Sequence, residues 1–245
     1  MKIIKAGYNI IRPNLCVPGA AEEIYKFLED VGRTCYKSEE KITAGSAEKF
    51  VRGCIQRGHE AIIEHAHLTV RFYVDRGISH EIVRHRLASF AQESTRYCNY
   101  AKDKFGNEIT VVEPVFYQDI PGERKNEIMD RVILDAGVDV EPLNDIEKKF
   151  ALWLASCVAN EKSYFSMLYA GANPQEARDV LPTSLKTELV MTASAREWRH
   201  FLKLRAAGTT GKPHPQMLEV AVPLLNELRE KLPALFDDIE PMSLE

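Results

Sequence analysis

One segment of the sequence, residues 67–74, constrains the fold most, because apolar and more polar side chains alternate along it. Leu68, Val70, Phe72 and Val74 would share one side of an extended chain, which is typical of a strand with one face on a core. A strand of this kind needs partners in a sheet. The sequence predicts further strands over residues 1–12, 109–116 and 188–193.

Helical spacing of apolar residues covers most of the remaining chain, although residues 118–142 are charged and ambiguous. No repeat, low-complexity tract or linker divides the sequence. It therefore predicts one α+β domain over residues 1–245, with a central, mainly antiparallel sheet flanked by helices. The expected helices cover residues 20–36, residues 46–58 with Ser46 as the N-cap, a segment beginning near Ser79, and residues 144–170, 195–207 and 215–232.

Charge and cysteine content restrict the partners and the compartment. With 28% charged residues and a formal net charge of -4, the chain lacks the overall positive field of a nucleic-acid-binding protein, so a local cluster must hold any anion. The five cysteines are widely spaced and include no C-x-x-C pair, which favours a reducing cytoplasm. The apolar stretch near residues 150–159 is far shorter than the roughly 20 residues that span a bilayer. We expect a soluble cytoplasmic protein without nucleic-acid or membrane partners.

The densest group of candidate binding residues begins at Arg84 and Arg86, which flank a histidine, and continues to Ser94 and Arg96. The guanidinium fork suits phosphate oxygens and a serine hydroxyl adds a short donor, so Ser94 with Arg96 makes a candidate phosphate site. The alternative is a cationic helix face that is simply solvated. The spacing from the two arginines to Ser94 and Arg96 favours the ligand.

A second group lies on the predicted helix over residues 195–207. Trp198, Phe201 and Arg205 have the spacing of one helix face, which puts Arg205 on an apolar side. A buried arginine needs an acceptor, which is either a ligand or a core carboxylate in an ordinary salt bridge. The cations predicted to be solvated on the other side are Arg196, Arg199 and Lys203.

No metal site and no phosphate loop are predicted. His59 and His65 lack the i, i+4 spacing of a zinc protease, and structural histidines explain His65 and His67 better. Residues 208–212 follow a predicted helix and run into Pro213, so they do not form a phosphate loop.

The residues of the first group fit the pattern R-H-R-x-x-S-x-x-x-x-S-x-R, and the chain resembles the flavin-dependent thymidylate synthases. Six fixed positions in thirteen rarely match by chance, and the resemblance spans residues 32–219. The residues in the pattern are Arg84, His85, Arg86, Ser89, Ser94 and Arg96. Matches outside it are Gly58, His59, Glu60, Glu64, His65, Ala177, Arg178, Val180, Leu181, Pro182, Thr192, Ala195, Arg196, Leu204 and Arg205.

The resemblance implies an activity and a set of contacts. Such enzymes convert dUMP to dTMP with reduced FAD, methylenetetrahydrofolate as the one-carbon donor and NADPH as the reductant, typically as homotetramers with active sites shared between subunits. Arg205 would be the catalytic residue, and Arg96 and Arg178 would reach one phosphate from different subunits. The implied FAD contacts are His59, Arg84, His85, Arg86, Gln92, Ser194, Arg196, His200 and His214. The implied dUMP contacts are Glu81, Gln92, Ser94, Arg96, Arg178 and Arg205.

This chain departs from the family pattern at several of these positions. Ala91 and Ser194 stand where asparagine is common, and Ala61 replaces a hydroxyl residue. Glu81 and Gln92 are exchanged relative to a frequent glutamine and glutamate. The departures concern individual flavin and nucleotide contacts.

Two other functions fit the same residues. One is a flavin-dependent methyltransferase or reductase that acts on another nucleotide or on RNA, although the weak overall charge argues against RNA. The other is a non-catalytic regulatory protein that binds a nucleotide. The second type of thymidylate synthase uses a cysteine nucleophile, but no cysteine here lies beside a recognisable base, so we expect none to act in this way.

Overall fold

The computed structural model describes residues 1–134 and 143–243 of the chain. In these residues the strands are β1 (Lys2–Ile4), β2 (Gly7–Arg12), β3 (His67–Asp75), β4 (Ala88–Gln92), β5 (Thr110–Val112) and β6 (Lys186–Ser194). The helices are α1 (Ala20–Thr34), α2 (Ser46–Gln56), α3 (Arg76–Ile82), α4 (Gly122–Leu134), α5 (Asp145–Tyr169), α6 (Pro174–Ala177), α7 (Ala195–Arg205), α8 (Pro215–Lys231) and α9 (Pro233–Phe236).

The chain forms two compact units, each built from separate segments. The first unit contains Met1–Ala6, Val74–Ser79 and Gln92–Glu188. The second unit contains Gly7–Tyr73, His80–Ala91 and Leu189–Glu245. The single domain over residues 1–245 stays a prediction.

The larger sheet has the strand order β2-β3-β6-β4, and β2 pairs with β3 in antiparallel orientation. On β3, Leu68, Val70 and Phe72 are at most 1% exposed, as the alternating pattern predicts. The Phe72 ring centroid lies 6.2 Å from that of Trp198 and 6.1 Å from that of Phe201, both on α7. Burial of each such side chain stabilises the fold by roughly 1.5–3 kcal/mol, which fixes α7 against β3. The α+β fold with an antiparallel sheet flanked by helices is confirmed.

In the first unit, α5 packs beside a two-stranded parallel sheet of β1 and β5. Tyr164 on α5 and Val111 on β5 belong to one buried cluster. The helix begins where the sequence predicts, because the Asn144 side chain accepts a hydrogen bond from the Glu147 N–H at 3.0 Å and the Glu147 carboxylate accepts one from the Asn144 N–H at 3.0 Å. Among the described helices, none, including the 25-residue α5, is both long and apolar enough to cross a bilayer.

Two predictions near the start of the chain are wrong in detail. Residues 1–12 form two strands, since β1 pairs with β5 whereas β2 pairs with β3. Ser46 is the first residue of α2 and not its N-cap, which is Gly45 with φ of 79°. The Ser46 hydroxyl instead lies 2.7 Å from a carboxylate oxygen of Glu29 and accepts a hydrogen bond from the Thr43 N–H at 3.0 Å.

The helix predicted to begin near Ser79 starts earlier and ends before the R-H-R residues. The Asp75 carboxylate accepts a hydrogen bond from the Ile78 N–H at 2.8 Å, which satisfies a donor at the start of α3. After Ile82 the chain turns and then extends into β4, so Arg84 and Arg86 lie outside a helix. Of the ambiguous residues 118–142, α4 covers Gly122–Leu134, and residues 135–142 lie outside the described part.

Candidate functional site

One cavity of the second unit collects most of the residues predicted to hold the flavin. Its volume of about 1430 Å³ exceeds the roughly 300–1,000 Å³ of ordinary small-molecule pockets. Residues 84–89, the end of β6, and α7 supply most of its walls. The predicted site residues that line it are Arg84, His85, Arg86, Ser194, Arg196, His200 and Arg205.

The cavity carries an excess of positive charge, because six Arg and Lys side chains and three carboxylates line it. Arg196 Nη1 lies 2.5 Å from Glu64 Oε1, and Lys203 Nζ lies 4.0 Å from Glu60 Oε1. Guanidinium groups are well suited to phosphate oxygens. The donor set therefore fits a ligand with a diphosphate, such as FAD.

Arg205 is held by two side chains of the second unit. Its Nη1 donates a hydrogen bond to Glu81 Oε2 at 2.8 Å, and its Nε donates one to His85 Nε2 at 3.2 Å. The other ring nitrogen of His85 lies 3.6 Å from Glu197 Oε1. Burial, with the nearby Arg205 charge, lowers the pKa of His85 to about 4, so its ring is neutral at pH 7. The Arg205 side chain is 23% exposed, and its partner is a carboxylate, which was one of the two predicted alternatives.

Three residues predicted to contact the flavin lie outside the set of described residues that line this cavity. His214 caps α8, since its Nδ1 accepts a hydrogen bond from the Gln216 N–H at 3.2 Å. Gln92 belongs to the first unit, where its Nε2 donates to Ser79 Oγ at 2.9 Å. His59 is exposed.

The residues predicted to bind the phosphate belong to the first unit. Arg96 Nε donates a hydrogen bond to Gln175 Oε1 at 2.9 Å, and Ser94 opens the turn that carries Arg96. Gln175 lies in α6, which leads directly into Arg178. The structure thus brings Arg96 next to the segment that carries Arg178 within one chain, whereas the resemblance led us to expect them from different subunits.

The prediction that Arg199 is solvated is wrong. Its side chain is 2% exposed, its Nη1 and Nη2 each lie 2.6 Å from an oxygen of Asp238, and its Nε donates to Glu60 Oε1 at 3.3 Å. The sequence does contain a signal for this burial. Arg199 lies four residues after Ala195 and three before Leu202, and both are fully buried on that face of α7.

His85, Glu197 and His200 form a group whose possible metal-ligating atoms lie within 4.8 Å of one another. Arg205 donates to His85 Nε2, which leaves only Nδ1 of that ring for a metal. Its positive charge also opposes a cation at this place. We assign no metal to the group.

Comparison with known proteins identifies relatives over most of the chain. The model of the family described as "Thymidylate synthase complementing protein" matches residues 21–234. A flavin-dependent thymidylate synthase of Corynebacterium aurimucosum is 32% identical over 238 residues, which cover 93% of this chain and 85% of the relative.

Two solved structures share the fold. The UMP/dUMP methylase PolB of Streptomyces cacaoi, bound with 5-Br UMP, is 17% identical with a TM-score of 0.68, over 97% of this chain and 95% of that one. Thymidylate Synthase X of Helicobacter pylori, with FAD and dUMP, is 24% identical with a TM-score of 0.61, over 88% and 93%. The chain has the α+β fold of this structural class. It belongs to the thymidylate synthase complementing protein family, whose relatives here are flavin-dependent thymidylate synthases.

Proposed function

We propose that this protein is a flavin-dependent thymidylate synthase that converts dUMP to dTMP, with methylenetetrahydrofolate as the one-carbon donor and NADPH as the reductant. The observation that carries the proposal is a cationic cavity in which the R-H-R residues meet the cations of α7, in a chain of this family. The same proposal includes a cytoplasmic homotetramer with shared active sites.

FAD would lie in the cavity of the second unit. Arg84, Arg86 and Arg196 would neutralise its diphosphate, since they are cations of the cavity wall. When bound, the flavin supplies the hydride that reduces the transferred one-carbon unit. The proposed flavin contacts that line this cavity are Arg84, His85, Arg86, Ser194, Arg196 and His200. His59, Gln92 and His214 lie outside this lining and stay proposed contacts from the resemblance alone.

The nucleotide would be held at both its ends. Ser94, Arg96 and Arg178 would bind the phosphate through charge-assisted hydrogen bonds, which fix the position of the pyrimidine. Gln92 belongs to the same part of the site. Arg205 would stabilise the negative charge that develops on the pyrimidine when C5 is activated, before C5 attacks the one-carbon unit.

The direct test is anaerobic conversion of dUMP with FAD, NADPH and methylenetetrahydrofolate, with each component omitted in turn. We expect dTMP only in the complete mixture. UMP in place of dUMP tests the alternative of another nucleotide. A purified protein without flavin absorbance and without turnover would favour the non-catalytic regulatory protein.

Replacing Cys98, the thiol nearest to Ser94 and Arg96 in sequence, should leave the reaction intact. Burial raises the pKa of the Cys98 thiol, with Glu93 adding to the effect, so the thiol stays protonated and is a poor nucleophile. We expect Cys98→Ser to keep dTMP formation within about tenfold of wild type, which allows for a packing cost of order 1 kcal/mol. Cys16→Ser, at an exposed position, is the control. Complete loss of turnover in a folded, flavin-loaded Cys98→Ser would show that the thiol takes part.

Arg205→Lys should keep the flavin and weaken use of the nucleotide. Lysine retains the charge but lacks the planar fork. It therefore cannot donate hydrogen bonds to Glu81 and His85 at the same time, as Arg205 does. Loss of one charge-assisted hydrogen bond costs roughly 1.5–3 kcal/mol, which corresponds to a roughly 10- to 150-fold decrease in apparent use of dUMP. The measurement is a dUMP titration followed by single-turnover oxidation of the reduced flavin, with Arg229→Lys as the matched control. Affinity and turnover equal to wild type would make Arg205 a structural residue.

A further inference from the structure

Four polar side chains of the second unit form a row, in the order Glu197, His85, Arg205 and Glu81. Glu197 Oε1 lies 3.6 Å from His85 Nδ1, and Arg205 Nε donates to His85 Nε2 at 3.2 Å. Arg205 Nη1 then donates to Glu81 Oε2 at 2.8 Å, and its Nη2 donates to the Glu81 carbonyl at 3.4 Å. The proposed function assigns chemistry only to Arg205 of this row, and Glu81 and His85 are the two side chains that bond it.

The row determines which ring nitrogen of His85 carries the proton. A guanidinium has only donors, so His85 Nε2 must be an acceptor without a proton. The neutral ring therefore carries its proton on Nδ1, which faces Glu197. A proton on Nε2 would set two N–H donors against each other and break the bond to Arg205. The tautomer of His85 and the orientation of Arg205 thus depend on each other.

The same contacts leave some N–H donors of the Arg205 guanidinium available for a ligand. A guanidinium has five N–H donors, and the hydrogen bonds to His85 and Glu81 engage one donor on each of its three nitrogens. Two N–H groups have no acceptor among the described residues. A long side chain that is held at three nitrogens has little rotamer freedom left to lose when a ligand binds.

We propose that Glu81 and His85 are positioning residues that hold the guanidinium of Arg205 in one orientation and leave two of its N–H groups for the pyrimidine. Glu81 then acts on the nucleotide through Arg205. A carboxylate at this position, where the family frequently has glutamine, makes the bond to Arg205 charge-assisted. This inference rests on the proposed function, because it takes a uracil nucleotide as the ligand.

A double-mutant cycle tests the role of Glu81. Glu81→Ala, Arg205→Ala and the double variant are compared with wild type by the dissociation constant for dUMP, read from the absorbance change of the bound flavin, and by kcat and KM. Glu81→Ala should weaken dUMP binding and turnover by about tenfold, and in the Arg205→Ala background it should add no more than about twofold. Glu22→Ala, which breaks an exposed ion pair with Lys26, is the matched control and should leave both unchanged.

The outcomes separate this inference from the proposed function. If wild type binds dUMP but the effects of Glu81→Ala and Arg205→Ala on dUMP affinity multiply in the double variant, only the proposed role of Glu81 is refuted. A wild type that neither binds nor converts dUMP would refute both. Glu81→Gln keeps an acceptor oxygen and should fall between wild type and Glu81→Ala, and thermal unfolding confirms that each variant is folded.

A conservative pair of variants tests His85. His85→Gln supplies a neutral side-chain oxygen that can accept from Arg205 Nε, whereas His85→Leu supplies volume without an acceptor. We expect dUMP affinity to be at least about fivefold better in the Gln variant than in the Leu variant at equal flavin content. Equal affinities in the two would refute the positioning role of His85.

Discussion

Arg199→Ala is expected to lower the free energy of unfolding by about 2–5 kcal/mol, because it empties a buried site and leaves the buried Leu235 carbonyl without its side-chain donor. The Arg199 side chain is 2% exposed and bonds Asp238, Glu60 and the Leu235 carbonyl. It therefore joins α7 to the segment that follows α9. Chemical denaturation, with the midpoint and the slope both fitted, measures the loss.

The control for this variant is an arginine with similar partners and more exposure. Arg229 on α8 pairs with Glu240 at 2.7 Å and donates to the Asp237 carbonyl, but its side chain is 27% exposed. Arg229→Ala should cost about 1 kcal/mol or less. Equal losses in the two variants would mean that burial of Arg199 contributes little to its effect.

Arg96→Ala and Arg178→Ala are each expected to lower kcat/KM for dUMP by about 100-fold or more, since each removes one or more charge-assisted hydrogen bonds to a phosphate. Flavin content should stay unchanged, because the cationic cavity is lined by residues of the second unit. Lys104→Ala, a cation of the first unit 4.8 Å from the Phe105 ring centroid, is the control. Flavin loss in parallel with activity would contradict the separation of the two sites.

Mixed oligomers of these variants locate the phosphate residues in the assembly. Arg96 bonds Gln175 in the helix that leads into Arg178, so a mixture of Arg96→Ala and Arg178→Ala subunits should stay inactive. A mixture of Arg96→Ala and Arg205→Ala subunits should regain part of the activity if active sites are shared, as we propose. Recovery in the first mixture after verified subunit exchange would place Arg96 and Arg178 of one site in different chains.

Local sequence signals predicted much of the fold. β3 and α5 could be predicted from local sequence alone. The two-residue period of β3, and the N-cap and helical spacing of α5, do not depend on distant residues. The start of α3 was missed although Asp75 is a plain capping residue, because an apolar strand runs directly into it. The split of residues 1–12 could not be predicted, since it depends on pairing with strands far along the chain.

The residues of the candidate site were likewise predicted only in part. The R-H-R pattern located one wall of the cavity, and helical spacing placed Arg205 on the correct face of α7. Its partner Glu81 lies 124 residues away in sequence, so spacing could not reveal it. Arg199 was misjudged for a related reason. Its face could be deduced from Ala195 and Leu202, but the carboxylate that makes its burial tolerable is Asp238, near the end of the chain.

The discontinuous make-up of the second unit affects when the protein can first load its cofactor during synthesis. The cavity combines residues from Glu60 to Ser89 with residues from Thr192 to Arg205, so one wall is translated more than a hundred residues before the other. During translation, the apolar side chains of the earlier wall lack their packing partners until α7 leaves the ribosome. In this interval the nascent chain is open to aggregation and to chaperone binding. If FAD lies in this cavity, as we propose, it would be loaded only after both walls have been translated and have folded together.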